Sequence, residues 1–214
     1  MSGNMDSAAS RQAPRLAHPG VYEFEGVVPV IDPSAYVHPS AVLIGDVIIG
    51  PRCYVAPGAV LRGDFGRIEL RADANLQDNC VVHSLPDFDC VMDEFSHIGH
   101  GAVIHGCWIG RDTLIGMNAV ILDRARVGDQ TIVGAMALLK AGGELPSRVL
   151  ATGVPVRVVR ELTDAELAGK RRGTDQYVEL ARRSAVGLRP AEARTELEAG
   201  RPRLVWEWSG RGAG

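Results

Sequence analysis

An aliphatic residue followed by a small or polar one recurs every six positions through the middle of the chain, and no other feature restricts its fold as much. The cleanest run is Ile109-Gly110, Ile115-Gly116, Ile121-Leu122, Val127-Gly128 and Val133-Gly134. Ile49-Gly50, Val55-Ala56 and Leu61-Arg62 keep the same step earlier, as do Leu76-Gln77 and Val82-His83. The fourth position after each aliphatic is again small or β-branched, as at Cys53, Ala59, Cys80, Ala102, Thr113 and Ala119. A period of six fits poorly with the roughly 3.6 residues per turn of an α-helix, and dense glycine and β-branched residues disfavour helix further. The pattern predicts a mainly β fold, a left-handed parallel β-helix, in which each side turns one aliphatic inward and a small residue fills the corner. Six residues make a side and three sides make a coil.

The repeat runs from about Ile31 to about Lys140, with two irregularities. Ser84 to His97 breaks it and is expected to bulge as a loop carrying Asp87, Asp89, Asp93 and Glu94; long loops in compact folds often carry function. A five-residue step from Ile104 to Ile109 is the other. Beyond the repeat, Thr163-Asp164-Ala165-Glu166 has the form of a capping box and predicts a helix from about Asp164 to Ser184. Gly169 and Gly173 weaken that helix, so it should depend on packing against the solenoid. The expected organisation is an N-terminal tail over 1–20, the β-helix over 21–162, the helix over 163–184 and a second tail over 185–214, both tails polar or rich in Gly, Pro and Ala.

At 214 residues, with a formal net charge of −3, the chain suits one domain and offers no electrostatic reason to bind nucleic acid or an anionic membrane. The basic run Lys170-Arg171-Arg172 is expected to be a solvated helix face. No apolar run approaches the roughly 18 residues that would span a bilayer. Nothing at the N-terminus resembles a signal peptide, and the four cysteines show no paired spacing. They read as reduced thiols of a cytoplasmic protein, with Cys53 and Cys80 as core fillers.

Three of the six histidines fall in HIGHGAVIHGC, His97 to Cys107. In the repeat frame His83 and His105 each follow an inward aliphatic and should stack one coil apart. His100 lies on the preceding side and cannot easily reach a metal shared by those two. A neighbouring subunit in a three-fold arrangement would supply it most simply. Three imidazoles with a vacant fourth position suit a catalytic zinc site, where bound water acquires a pKa of about 7. His97, at the end of the break with no repeat partner, is given no role, nor are His18 and His38. Arg62, Asp64, Asn75, Gln77 and Asp78 fall at or beside the same outward register. Outward Arg62 and Asp64 suggest charge-assisted pairing across a subunit interface, and Gln77 could hydrogen-bond a metal-bound water.

The set RGD, NLQDNCVVH, HIGH and IHGC resembles the γ-class carbonic anhydrase-like hexapeptide-repeat family of trimeric left-handed β-helices, over roughly Gly20 to Leu162. The resemblance implies that His83 and His105 of one chain, with His100 of the next, bind zinc or another divalent transition ion such as iron or cobalt. It implies also that Arg62 and Asp64 pair across the interface and that Gln77 orients the nucleophile, with Asn75 beside it in the same motif. Within the family, RGDFGRI, NLQDNC, HGC, VGMNAV and GVPVRVVRELTDAEL look closest to the branch of the phenylacetic acid degradation protein PaaY and its relative CaiE, linked to hydrolysis of coenzyme A thioesters in aromatic catabolism. Phe65 stands where the archetypal γ-carbonic anhydrases carry an acidic residue, which weighs against efficient CO2 hydration. The expected activity is therefore metal-dependent acyl-CoA thioester hydrolysis by a homotrimer, with Lys140, Arg148, Arg157 or Arg160 as candidates for the CoA phosphates. Carbonic anhydrase activity, a metal-free acyltransferase using CoA with histidine as general base, and a trimeric scaffold with a structural metal are the alternatives.

Overall fold

The computed structural model describes His18 and residues 20–206; the outer parts of both expected tails, 1–17 and 207–214, lie outside the described residues. It is mainly β: a parallel β-solenoid of about seven turns with one C-terminal helix. The first side stacks the leading halves of Val42–Ile49 and Val60–Leu70, then Val81–His83, Val103–His105, Val120–Ile121 and Leu138–Leu139. The trailing halves of the two long strands continue into the second side, joined by Cys90–Met92, Trp108–Ile109, Arg126–Val127 and Glu144–Leu145. Tyr36–Val37 to Val149–Thr152 form the third side, closed at its end by the antiparallel strand Arg157–Glu161.

The inward aliphatics of the repeat are the core. Leu61, Leu76, Val82, Ile98, Ile104, Ile109, Ile115 and Ile121 are all fully buried, each contributing about 1.5–3 kcal/mol. The small residues assigned to corners, Cys53, Ala59, Cys80, Ala102, Thr113 and Ala119, are also fully enclosed. Burial pushes the Cys53 thiol up to about 12 and that of Cys80 to about 11, as suits inert filler. Turn residues at the edges take left-handed φ near +55 to +60°, among them Asn79 (58°), Asp112 (55°) and Asn118 (55°), residue types that tolerate that region well.

The long loop expected over Ser84 to His97 is largely absent. Cys90–Met92 is a regular second-side strand paired with Ile68 to Leu70 and with Trp108-Ile109. Only residues 84–89 protrude, pinched by the Leu85–Phe88 bridge. Leu85 sits between two glycines of the neighbouring coils: a Cβ at Gly66 would lie 2.2 Å from the Leu85 carbonyl oxygen, and one at Gly106 2.5 Å from its Cγ. The insertion thus folds over the corner that the five-residue step shortens, and the two irregularities compensate each other. Asp87 is bound by Arg124, Asp93 by Arg71 and Glu94 by Arg111, so these acids serve ion pairs.

The helix spans Asp164–Gly187 and starts with the capping box expected, Thr163 and Glu166 each satisfying the other's backbone N–H. It packs on the third side over Tyr36, Tyr54 and Asn75. Its basic run is not a solvated face. The Lys170 ammonium is buried, donating to Asp112 at 2.8 Å and to the Phe95 carbonyl at 2.6 Å, while Arg171 shares Asp112 and lies 3.7 Å over the Phe95 ring. Only Arg172 of the three is exposed. With Gly169 and Gly173 inside the helix, this buried cluster supplies the docking that local propensity does not. No helix among the described residues is long and apolar enough to cross a membrane.

Candidate metal centre

The first side is bounded by two edges, and the candidate metal ligands divide between them. On the edge leading to the second side, Arg62, His83 and His105 stand opposite one another on three successive strands. His83 Nδ1 and His105 Nε2 face each other at 3.0 Å, and their rings are tilted with centroids 5.0 Å apart. His83 Nε2 lies 3.0 Å from Asp64 Oδ1, and His105 Nδ1 is held by Asp123 through a short hydrogen bond. Arg62 Nη1 donates to Asp64 Oδ2 at 2.7 Å. This pairing lies within one chain, whereas the resemblance puts it across a subunit boundary. Burial alone would raise the Asp64 carboxyl, but hydrogen bonds from Arg62 and His83 outweigh it and hold the group below the usual carboxylate value.

The edge leading from the third side carries His100 one coil above Asp78, with Nδ1 and Oδ2 2.7 Å apart. His100 is exposed and is not brought to His83 and His105. Among the described residues no three of His, Cys, Asp and Glu gather closely enough within the chain to hold a metal. Asn75 and Gln77, expected beside the outward register, are buried on the third side under the helix.

His97, given no role in the sequence, belongs to a ladder after all. It pairs with Asn75 below and Leu114 above, and its Nε2 lies 2.7 Å from Gln77 Nε2. Burial, reinforced by the nearby Lys170 and His100 charges, pushes its pKa down to about 4. The missed signal was the register: counting on from Leu76 to Ile98 would have placed His97 opposite Asn75, had Cys90-Val91-Met92 been recognised as a side. Of the candidates for CoA phosphates, Arg148 is paired with Asp164 and Arg160 with Glu166, both at 2.6 Å.

The donor set can be tested for a metal. Ligand nitrogens at about 2.0–2.1 Å from a tetrahedral ion stand about 3.3 Å apart, close to the 3.0 Å between His83 and His105. Each of the three candidate imidazoles also has one ring nitrogen on a carboxylate, Asp64, Asp123 or Asp78, which leaves the other nitrogen for a ligand. Carboxylate-backed imidazoles are the usual support of a metal site. The residues fit a divalent transition ion in two portions, two ligands on one edge and one on the other.

The family described as Bacterial transferase hexapeptide (six repeats) matches residues 29–63 and 106–141. These segments flank the coils that carry the histidines. The carnitine operon protein CaiE of Salmonella agona (strain SL483) is 52% identical over 183 residues, covering 86% of this chain and 92% of that protein. Among solved structures, a putative acetyltransferase from Bacillus cereus aligns with TM-score 0.74 at 33% identity, covering 75% of this chain and 94% of that one. A hexapeptide transferase family protein from Anaplasma phagocytophilum aligns with TM-score 0.73 at 34% identity, covering 76% and 96%.

Proposed function

Because the chain belongs to the CaiE family of hexapeptide-repeat proteins, we propose that it is a metal-dependent hydrolase whose active form is a homotrimer and whose substrate is an acyl-CoA thioester, in the manner of a PaaY-type enzyme of aromatic catabolism. Zinc, or another divalent transition ion such as iron or cobalt, would be held by His83 and His105 of one subunit and His100 of the partner subunit. The observation that carries this reading is the carboxylate behind each of the three imidazoles.

When bound, such an ion lowers the pKa of water to about 7 and polarises a carbonyl. The chain's own residues do the rest. Asp64, Asp78 and Asp123 hold the ring orientations, and Arg62 fixes Asp64 in turn. Phe65 lies against His83 with centroids 5.0 Å apart and is 58% exposed, lining that side of the pair with apolar surface. Such a wall favours an acyl group over the proton traffic that CO2 hydration needs. Between the two edges the outward row Val42, Val60, Val81, Val103, Val120 and Leu138 is entirely aliphatic and nowhere fully buried. An apolar face bordered by the two portions of one ligand set supports self-association through that face.

A second reading draws on the exposed His100–Asp78 pair, which has the geometry of a general base, and on the likeness to a putative acetyltransferase. It is acyl transfer from CoA without a metal. The deciding experiment quantifies metal in the purified protein, strips and reloads it, and follows hydrolysis of a panel of acyl-CoA esters that includes phenylacetyl-CoA, beside stopped-flow CO2 hydration. Thioester hydrolysis that falls with stripping and returns with reloading is expected, and Asp123→Asn should weaken metal affinity about 10–100-fold. Full activity in stripped protein would overturn the proposal in favour of transfer chemistry, and rapid CO2 hydration without thioester cleavage would reassign the substrate.

A further inference from the structure

Gln77 is buried on the third side, and two neighbours hold its amide nitrogen. Gln77 Nε2 donates to Asn75 Oδ1 at 3.0 Å and lies 2.7 Å from His97 Nε2. An amide nitrogen has two hydrogens and no acceptor lone pair, so both hydrogens are committed and His97 Nε2 must be the acceptor. The His97 ring is consequently neutral with its proton on Nδ1, the nitrogen that faces Thr174 Oγ1 at 3.5 Å. Burial keeps the ring neutral, its pKa pushed down to about 4. Tyr177 packs edge-on against the same ring, with centroids 5.1 Å apart.

This arrangement leaves one end of Gln77 free. Among the described residues its Oε1 accepts from no side chain, and it is not one of the sealed polar atoms without a partner, whereas the Nδ2 of fully buried Asn75 is. Asn75 therefore gives its oxygen to Gln77 while its own side-chain Nδ2 has no partner, at a cost in stability.

We propose that His97, which lies outside the metal ligand set, is the positioning residue of this site: with Asn75 it takes both amide hydrogens of Gln77 and so presents Gln77 Oε1, an acceptor, toward the edge where His100 stands. The inference rests on the reading of that edge as part of a hydrolytic site. There the acceptor would receive a hydrogen bond from the attacking water and orient it. The helix, through Thr174 and Tyr177, holds the ring that sets the amide.

The test has two readouts. Protein carrying 15N-labelled histidine, with the His97 signals assigned by their loss in His97→Phe, should show His97 as the neutral Nδ1–H tautomer at neutral pH, with or without zinc. An Nε2–H tautomer or a charged ring overturns the proposal, because Gln77 would then turn its oxygen inward. With the fastest-cleaved ester of the panel, His97→Phe should lower kcat about tenfold with KM changed less than about twofold, and His97→Gln, which restores an acceptor, should recover most of the loss. Equal kcat for all three proteins overturns it as well. Wild-type protein inactive on every ester would overturn the hydrolase reading while the tautomer result stood, so the two failures are distinguishable. If His97→Phe fails to fold, His97→Gln provides the assignment, and the wild-type tautomer still decides.

Discussion

The coils after Gly106 and those between Val60 and His105 are made of the same inward aliphatics, yet they differ in how they turn from the first side to the second. In the later coils Ile121 to Val127 and Leu139 to Leu145 each take six residues. Earlier, Leu61 to Leu70 and Val82 to Met92 take longer paths, and Ile104 to Ile109 a shorter one. The three and four added residues fall within Asp64 to Arg67 and Ser84 to Asp89, at the edge that carries His83 and His105. The regular coils supply a prism whose successive strands pair in register. The irregular ones bring in what the repeat has no place for: a carboxylate behind an imidazole, an exposed phenyl ring and a loop pinned over a glycine. Regularity here serves stability, and its interruption, together with Asp123 from the next regular turn, serves the site.

Substitutions on either side of this division should separate the two. The largest effect is expected from His83→Ala or His105→Ala, with thioester hydrolysis and bound metal falling more than about 100-fold while the melting temperature of the metal-free protein stays near wild type. Mixing is sharper still. His83→Ala and His100→Ala are each inactive alone, but random trimers refolded from equal amounts of both should regain roughly a quarter of wild-type activity, since one in four oriented interfaces is then intact. No recovery in verified mixed trimers would mean that the ligands do not come from two subunits. In the regular coils Ile121→Ala should do the reverse, losing about 2–5 kcal/mol of stability to the cavity with activity per folded protein unchanged. A fall in kcat there would mean that the division between scaffold and site is wrong.

Much of this was legible in the sequence because a six-residue period fixes which side each residue joins, so the stacking of His83 under His105 and the separation of His100 follow from counting. Counting failed where the period did. Met92 is followed by Asp93 instead of a small residue, which hid the strand Cys90–Met92 and made a loop of fourteen positions out of a six-residue protrusion. That error also detached His97 from its ladder. The Asp64, Asp78 and Asp123 contacts join neighbouring coils and need side-chain geometry that no period encodes. Lys170 was misread for a related reason: a basic run looks solvated until tertiary packing supplies Asp112 as a buried partner.

His97 gives a pH dependence that belongs to the third side alone. Its folded pKa of about 4 lies below the roughly 6.5 of an unfolded histidine, so the unfolded chain binds more protons between those values. Stability is therefore full above about pH 6.5 and is lost as pH falls through the folded value, by about 3 kcal/mol in all. The nearby charges of Lys170 and His100 act in the same direction. Urea unfolding from pH 7 to pH 4 should show this slope in wild type and a shallower one in His97→Gln. Equal slopes would mean that the ring is not held neutral.

The smallest effect is expected at the protrusion itself. Asp87 pairs with Arg124 at 2.6 Å, but both side chains are at least half exposed, at 68% and 50%. Exposed pairs of this kind contribute about 0–1 kcal/mol. Phe88, flanked by Arg124 and Arg126 with guanidinium carbons 5.7 and 5.4 Å from the ring centroid, and Leu85 between its two glycines hold the segment independently. Asp87→Ala should therefore change stability by less than about 1 kcal/mol and leave kcat for thioester cleavage unaltered in dilute buffer. A kcat that falls in dilute buffer and is restored by added imidazole would instead make Asp87 a proton relay, and the protrusion part of the chemistry as well as of its frame.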